Sequence, residues 1–210
     1  MIANTLTNTT FQSFLPVLQS VEQSPLVFLD SLSDLEREQL FSVSFPRKSQ
    51  GGDVLFRIGE ASSHLFIVET GKVKLTRFSR QERILQVAGE GDVLGVDFLN
   101  PNAVHDAEAV CLSESNFVYA ISHEEFLLIA QRLPSIMIKL SRTLSQQVGM
   151  LSDQLELANA PVMLRIGRTI VSLTKRFGEE TAEGWTFLAM PLSQEEIASI
   201  AGTTRVSFTQ

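Results

Sequence analysis

The sequence predicts an α+β fold in which a β-rich centre is framed by helices, and three observations predict it. Across residues 45–121, short apolar or alternating runs are cut by glycine at intervals of roughly ten residues: DVLFRIG, HLFIVETG, KVKLTRF, ILQVAGEGDVLG, AEAVCLS and NFVYAI. That texture belongs to an antiparallel sandwich or barrel. After Pro134 a helical pattern runs without a strong breaker to Ala158, and the last nineteen residues read as two short helices around a glycine turn.

In chain order, residues 26–41 (LVFLDSLSDLEREQLF) carry apolar side chains at helical spacing, with Ser33 placed as an N-cap and Glu36 three residues later. This capping-box pattern predicts two short opening helices. Within the β-rich part, Gly59, Gly71, Gly89, Gly91 and Gly95 fall where tight turns need positive φ or close backbone approach. EEFLLIAQRL then reads as a helix ended by Pro134, which suits the first position of the next one. In that next helix Met137, Leu140, Leu144, Val148, Leu151, Leu155 and Ala158 recur at spacings of 3, 4, 4, 3, 4 and 3, interrupted only by Gly149. Such a seam packs either on its own barrel or on a second copy. A helix of about 25 residues is roughly 37 Å long, more than a barrel of this size covers, which favours a parallel homodimer. Asn159, Ala160 and Pro161 form a hinge, MLRIGRTIVSLTKRFG an amphipathic helix closed by Gly178, and EETAEG an acidic loop before the apolar run WTFLAM. These signals divide the chain into helices plus barrel (1–133), a dimerisation helix (134–158) and a C-terminal domain (161–210).

Composition narrows the classes. With 210 residues and 44% apolar content there is enough to bury a core. No basic leader precedes an apolar run and no stretch approaches the roughly 20 apolar residues that span a bilayer, so a cytoplasmic chain without a membrane partner is expected. A single cysteine, Cys111, rules out an internal disulfide or a four-thiolate site, and His64, His105 and His123 lack metal-binding spacing. No metal is expected. The net charge of −7 lies wholly in the first 160 residues, since residues 161–210 hold five basic and five acidic side chains. Any nucleic-acid role must therefore rest on a motif and not on charge.

The motif is LSQEEIASIAGTTRVSFTQ. Ser193 is placed to N-cap a helix with Ile197, Ile200 and Ala201 on its apolar side, Ala198 is small where two helices would cross, and Gly202 supplies the turn. Thr203 or Thr204 caps a second helix from Arg205. Its first turns present Val206, Ser207, Thr209 and Gln210 outward, where an arginine grips guanine bidentately and hydroxyl or amide groups reach other base edges or phosphates. Ser193 and Gln194, at the start of the first helix, complete the candidate DNA-binding set with Thr203 and Thr204. An ordinary αα-hairpin inside a core is the alternative, disfavoured by the position of the motif after a barrel and a dimer helix.

Over essentially its full length the chain resembles the CRP/FNR superfamily, through FRIGEASSHLFIVETGKVKL, GEGDVLG, the helix after Pro134 and LSQEEIASIAGTTRVSFTQ; TTRVSFT looks most like the cyanobacterial nitrogen-control regulators of the NtcA type. The resemblance implies a cyclic-nucleotide-binding-like double-stranded β-helix (jelly-roll) barrel, a dimerisation helix and a C-terminal winged helix-turn-helix. It also implies a homodimeric transcription regulator that binds a double-stranded DNA palindrome and works with RNA polymerase. In the family the arginine matching Arg205 reads a guanine in each half-site. The next position is glutamate in cyclic-AMP-responsive members and Val206 here, as in the nitrogen regulators, and a later arginine or equivalent is Gln210. The family continues this helix and adds a β-wing, whereas the sequence stops at Gln210, so an incomplete helix-turn-helix without a wing is expected.

The resemblance places an effector pocket at Gly95, Val96 and Asp97 and at His105, Asp106 and Ala107, with Leu151 and Ser152 from the long helix. Cyclic-AMP-binding members hold the ribose with a glutamate and the phosphate with an arginine-serine pair. Val96 has no acceptor for a ribose hydroxyl and Asp106 would repel a phosphate, so cyclic AMP is not the expected effector. The nitrogen regulators hold 2-oxoglutarate with arginines, but Ala103 and Gln147 stand at those positions, with Arg142 about one and a half turns earlier. A different small-molecule effector, or none, is expected. His105 is a candidate weak anion donor, but as a lone histidine in a strand pair it is expected to be exposed, and Cys111 is expected to point into the barrel as a small hydrophobe. GxSxG, Walker and HExxH motifs are missing from the sequence, and strand pattern instead of a helix follows GEGDVLG, so an enzyme is not expected. The rival reading is a dimeric small-molecule or protein-interaction sensor with a vestigial DNA-binding end.

Overall fold

A computed structural model describes residues 27–78, 82–188 and 190–204 of the chain. It is an α+β structure that divides into two compact units, one of residues Pro25–Ser152 and one holding Asp153 onward.

The first unit opens with α1 (Phe28–Ser31) and α2 (Asp34–Ser42). The expected capping box starts α2: the Ser33 hydroxyl accepts from the Glu36 amide, and the Glu36 carboxylate accepts from the Ser33 amide at 2.7 Å. Among the described residues eight strands follow: β1 (Phe45–Gln50), β2 (Val54–Phe56), β3 (His64–Thr70), β4 (Val73–Phe78), β5 (Glu82–Ala88), β6 (Val93–Leu94), β7 (Glu108–Cys111) and β8 (Ser115–Ser122). They form two antiparallel four-stranded sheets, ordered β1-β8-β3-β6 and β2-β7-β4-β5, the jelly-roll arrangement. A 3-10 turn (Val96–Leu99) leaves β6, then α3 (His123–Arg132) and α4 (Ser135–Leu157) complete the run.

Burial on both faces explains why LFIV within HLFIVET is apolar without a break. Phe66 and Val68 of β3 face the second sheet and pack with Leu55, Phe56, Val73, Ala88, Leu94, Ala109, Cys111 and Val118. Leu65 and Ile67 face the other way, into a second core with Phe28, Leu40, Phe98, Phe126, Ile136 and Leu140. A strand covered on both faces has no polar side to show. The turns obey the glycine pattern at Gly59, Gly71, Gly91 and Gly95, which all have positive φ; Gly89 instead gives its amide to the Asp92 carboxylate at 2.6 Å.

The second unit contains α5 (Val162–Phe177), a hairpin of β9 (Gly178–Glu180) and β10 (Thr186–Leu188), and α6 (Gln194–Ile200). The hairpin corrects the sequence reading of EETAEG as loop: Glu179 and Glu180 pair with Phe187 and Thr186. Gly178 ends α5 as expected, yet in extended conformation; its role is steric, because a Cβ there would lie 2.3 Å from the Thr174 carbonyl oxygen and 2.4 Å from the Thr186 methyl.

Gly149 does not interrupt α4, and nothing stands within 4 Å of where its Cβ would be. Gly149→Ala should therefore raise stability by up to about 1 kcal/mol through helix propensity alone. A urea midpoint that stays put or falls would show that this glycine has a packing role.

Candidate functional site

The two loops expected to line an effector pocket are brought together at Gly95 and His105, whereas Asp106, Leu151 and Ser152 are exposed. Gly95 turns the chain at φ 73°, and a Cβ there would sit 2.8 Å from the His64 carbonyl oxygen and 3.2 Å from the Phe66 ring. Only glycine fits this approach. On the facing segment the His105 amide donates to the Glu60 carbonyl at 2.9 Å, and its carbonyl accepts from Gly59 at 2.8 Å. Ala61 and Val104 form the adjoining bridge, with Val104 turned to solvent. Alternation then sends His105 inward.

His105 is buried, 3% exposed, which corrects the expectation of an exposed histidine. Its ring lies on Phe56 with centroids 3.8 Å apart and planes 16° from parallel. Its Nδ1 finds no hydrogen-bond partner among the described residues. Burial pushes its pKa below the ordinary histidine value, against the pull of Asp97, Glu60 and Asp106, and the ring is held neutral.

Asp106, expected in the pocket, lies at the surface, where its carboxylate pairs with the Arg77 guanidinium while Arg77 Nε donates to the Asp106 carbonyl at 3.0 Å. Ala107 is buried, and Val96 and Asp97 are half-buried in the 3-10 turn. Leu151 and Ser152 are exposed, and the Ser152 hydroxyl donates to the Val148 carbonyl at 3.0 Å within its own helix. Cys111 is buried in the barrel as expected; desolvation raises its thiol pKa, opposed by a contact from Ser49. Sequence reasoning missed Phe56 and Arg77. Strand period does not mark Phe56, because Leu55 and Phe56 are both buried across a register shift between Val54 and Phe56, and nothing local marks Arg77.

The seam of α4 is used in two ways. Leu140 belongs to the core of its own chain, and Met137 and Leu144 pack against that core. Val148, Leu151 and Leu155 are 62%, 52% and 73% exposed, and Ala158, beyond the helix end, is exposed too.

At the C-terminal end Ser193 caps α6 in a full capping box with Glu196, so its hydroxyl and amide are already engaged. Ala198 is completely buried where larger Ile197 and Ile200 are only half-buried. The helix closes by a Schellman motif: Thr203 donates to the Ala198 carbonyl at 2.9 Å, Gly202 donates to Ser199 at 3.0 Å, and Gly202 has φ 65°. Arg165 of α5 clamps the turn by donating to the Gly202 carbonyl at 2.9 Å. Gln194 and Thr204 are exposed and Thr203 is half-buried. Arg205, Val206, Ser207, Thr209 and Gln210 lie outside the described residues.

Residues 46–132 match the cyclic nucleotide-binding domain family. The chain is 31% identical over 196 residues to the CRP-like cAMP-activated global transcriptional regulator of Mycobacterium tuberculosis, covering 90% of this chain and 80% of the relative. Among solved structures it resembles the c-di-GMP responsive global regulator CLP of Xanthomonas campestris, with a TM-score of 0.74, 22% identity, and coverage of 84% of this chain and 88% of that one. It also resembles the catabolite activator protein of Thermus thermophilus, with a TM-score of 0.57, 25% identity, and coverage of 89% and 84%.

Proposed function

This chain belongs to the CRP-like transcriptional regulators, and from that membership we propose that it is a homodimeric, sequence-specific DNA-binding regulator whose barrel controls its reading helices. It acts in the cytoplasm on a palindromic duplex with RNA polymerase as partner, and it is not an enzyme; among the described residues no helix is long and apolar enough to cross a membrane. The observation that carries the reading is the closed turn after α6. A small buried Ala198, a left-handed Gly202 and the Arg165 clamp fix where the chain leaves that helix, which supports a recognition helix starting at Arg205.

The Mycobacterium tuberculosis relative is cAMP-activated by name. In this chain the barrel offers Val96, the neutral His105 and the surface-paired Asp106 at the matching positions, which supports an effector other than cyclic AMP, or none. The likeness of TTRVSFT to the nitrogen-control regulators supports a GTA-and-TAC palindrome, with Val206 against a thymine methyl.

The test is a selection of bound duplexes from a random pool with the full-length protein and its Arg205→Ala variant. Half-sites should lie one helical turn apart, roughly 34 Å, and Arg205→Ala should weaken binding by about 1 to 3 kcal/mol and relax one guanine per half-site. Recovery of the same guanine preference by the variant would mean that Arg205 does not read bases.

A further inference from the structure

We propose that the barrel of this chain carries its own occupant: the His105 ring, stacked on Phe56 beside Gly95, fills the space between the sheets, and the regulator reaches its DNA-binding form without a nucleotide. The inference rests on the reading of the chain as a regulator and names what sits in its barrel.

Packing carries the argument. A ligand site for a nucleotide-sized molecule needs on the order of 300 Å³ or more, and its lining must be open to water when the ligand is out. Here Phe56 is 4% exposed, Phe66 6%, Leu94 3%, His105 3% and Ala107 3%. These side chains come from both sheets and from the loops that face them, so the interior is closed by contact between them. The ring of His105 stacks on Phe56 with centroids 3.8 Å apart, and Gly95 stands beside it, where even a Cβ would come within 3.5 Å of His105 Cε1. Phe56 also touches Phe66, with ring centroids 5.4 Å apart, which ties the stack to β3. A nucleotide could enter only by expelling the histidine and separating three aromatic rings. Polar return for that is poor, because Asp106 is engaged with Arg77 at the surface and Val96 offers no polar group.

A plug leaves a hole of its own shape when removed. His105→Ala should open a void that imidazole itself can refill, because the core closes only partly around a deleted side chain. The experiment follows melting temperature and duplex affinity of the full-length protein, of His105→Ala and of His105→Phe. Each is measured with cyclic AMP, cyclic GMP, cyclic di-GMP, or imidazole at millimolar concentration. Wild type should show no rise in melting temperature with any cyclic nucleotide, and its duplex affinity should change by less than about twofold. His105→Ala should melt lower and recover several degrees in imidazole, while wild type gains nothing from imidazole. His105→Phe, which keeps a ring on Phe56, should bind the duplex within about twofold of wild type.

A cyclic nucleotide that raises the wild-type melting temperature by several degrees, or changes its duplex affinity by about tenfold, overturns the proposal. So does failure of imidazole to restore a folded His105→Ala. If His105→Ala does not fold, the His105→Phe result decides: loss of duplex binding by that folded variant would mean that the nitrogen atoms, and not the filling, matter. Should imidazole rescue succeed while no variant binds any duplex, the regulator reading fails and the self-filled barrel stands.

Discussion

Lys139→Met is expected to destabilise the first unit by about 3 kcal/mol, the lower end of the range for stripping one partner from a buried ion pair, because Glu36 is buried and Lys139 only partly so. Glu36 is 4% exposed on α2, and its carboxylate accepts from the Ser33 amide at 2.7 Å, the Ser33 hydroxyl at 2.9 Å, the Ser135 hydroxyl at 2.5 Å and the Lys139 ammonium. Two of those donors stand on the first turns of α4, so one buried carboxylate ties the opening helices to the base of the long helix. Burial raises the pKa of Glu36, but the bonds from Lys139, Ser135 and Ser33 outweigh it and bring it from 4.5 to about 2. Since the folded pKa is depressed, the stabilisation is complete above pH 4.5 and is lost as pH falls from 4.5 towards 2. Methionine keeps the length of the side chain and removes the charge, leaving a carboxylate with fewer donors than its burial demands. Urea unfolding at neutral pH and across the acid range measures both effects. The double variant Glu36→Gln with Lys139→Met should recover much of the loss, because no uncompensated charge remains. A loss below about 1 kcal/mol in the single variant would show that solvent replaces the ammonium without strain.

What could be read from the sequence follows from how locally each feature is determined. The capping box at Ser33 and the N-cap at Ser193 need only residues close in sequence, and both are formed, the second as a full box with Glu196. The strands of the barrel were legible because inward and outward positions alternate and glycines mark the turns. The β9-β10 hairpin was not, because β9 is Gly178-Glu179-Glu180 with both glutamates exposed, so no apolar alternation betrays it; its pairing partner lies across an acidic turn. His105 was misread for a different reason. Its burial depends on Phe56, which is distant in sequence, and on the Ala61–Val104 bridge that sets which way it points. Its neighbours Val104 and Asp106 are exposed and suggest a surface strand. The heptad on α4 was visible, but periodicity names a face and not what covers it, and Leu140 turned out to belong to its own core while Leu155 stands open.

That division of the seam sharpens the expected effect of disrupting assembly. Leu151→Glu together with Leu155→Glu should convert a dimer into monomers at micromolar concentration without lowering the melting temperature of the barrel. The two leucines are 52% and 73% exposed and lie four residues apart on one helix face, with the 62% exposed Val148 three residues before them. Burying a leucine fully is worth roughly 1.5 to 3 kcal/mol, and a two-fold interface removes two from each chain, so even half of that burial amounts to several kcal/mol. Glutamates add like-charge repulsion across the axis, and weakening of the dimer by a factor on the order of a thousand or more is expected. Leu140→Glu provides the contrast. That side chain is 1% exposed in the core of its own chain, so a carboxylate there should unfold the first unit and not merely separate protomers. Sedimentation equilibrium distinguishes the cases: a folded monomer for the double variant supports a dimer through residues 148–155. A double variant that sediments as wild type, whether both are dimers or both are monomers, would show that this face is not the interface.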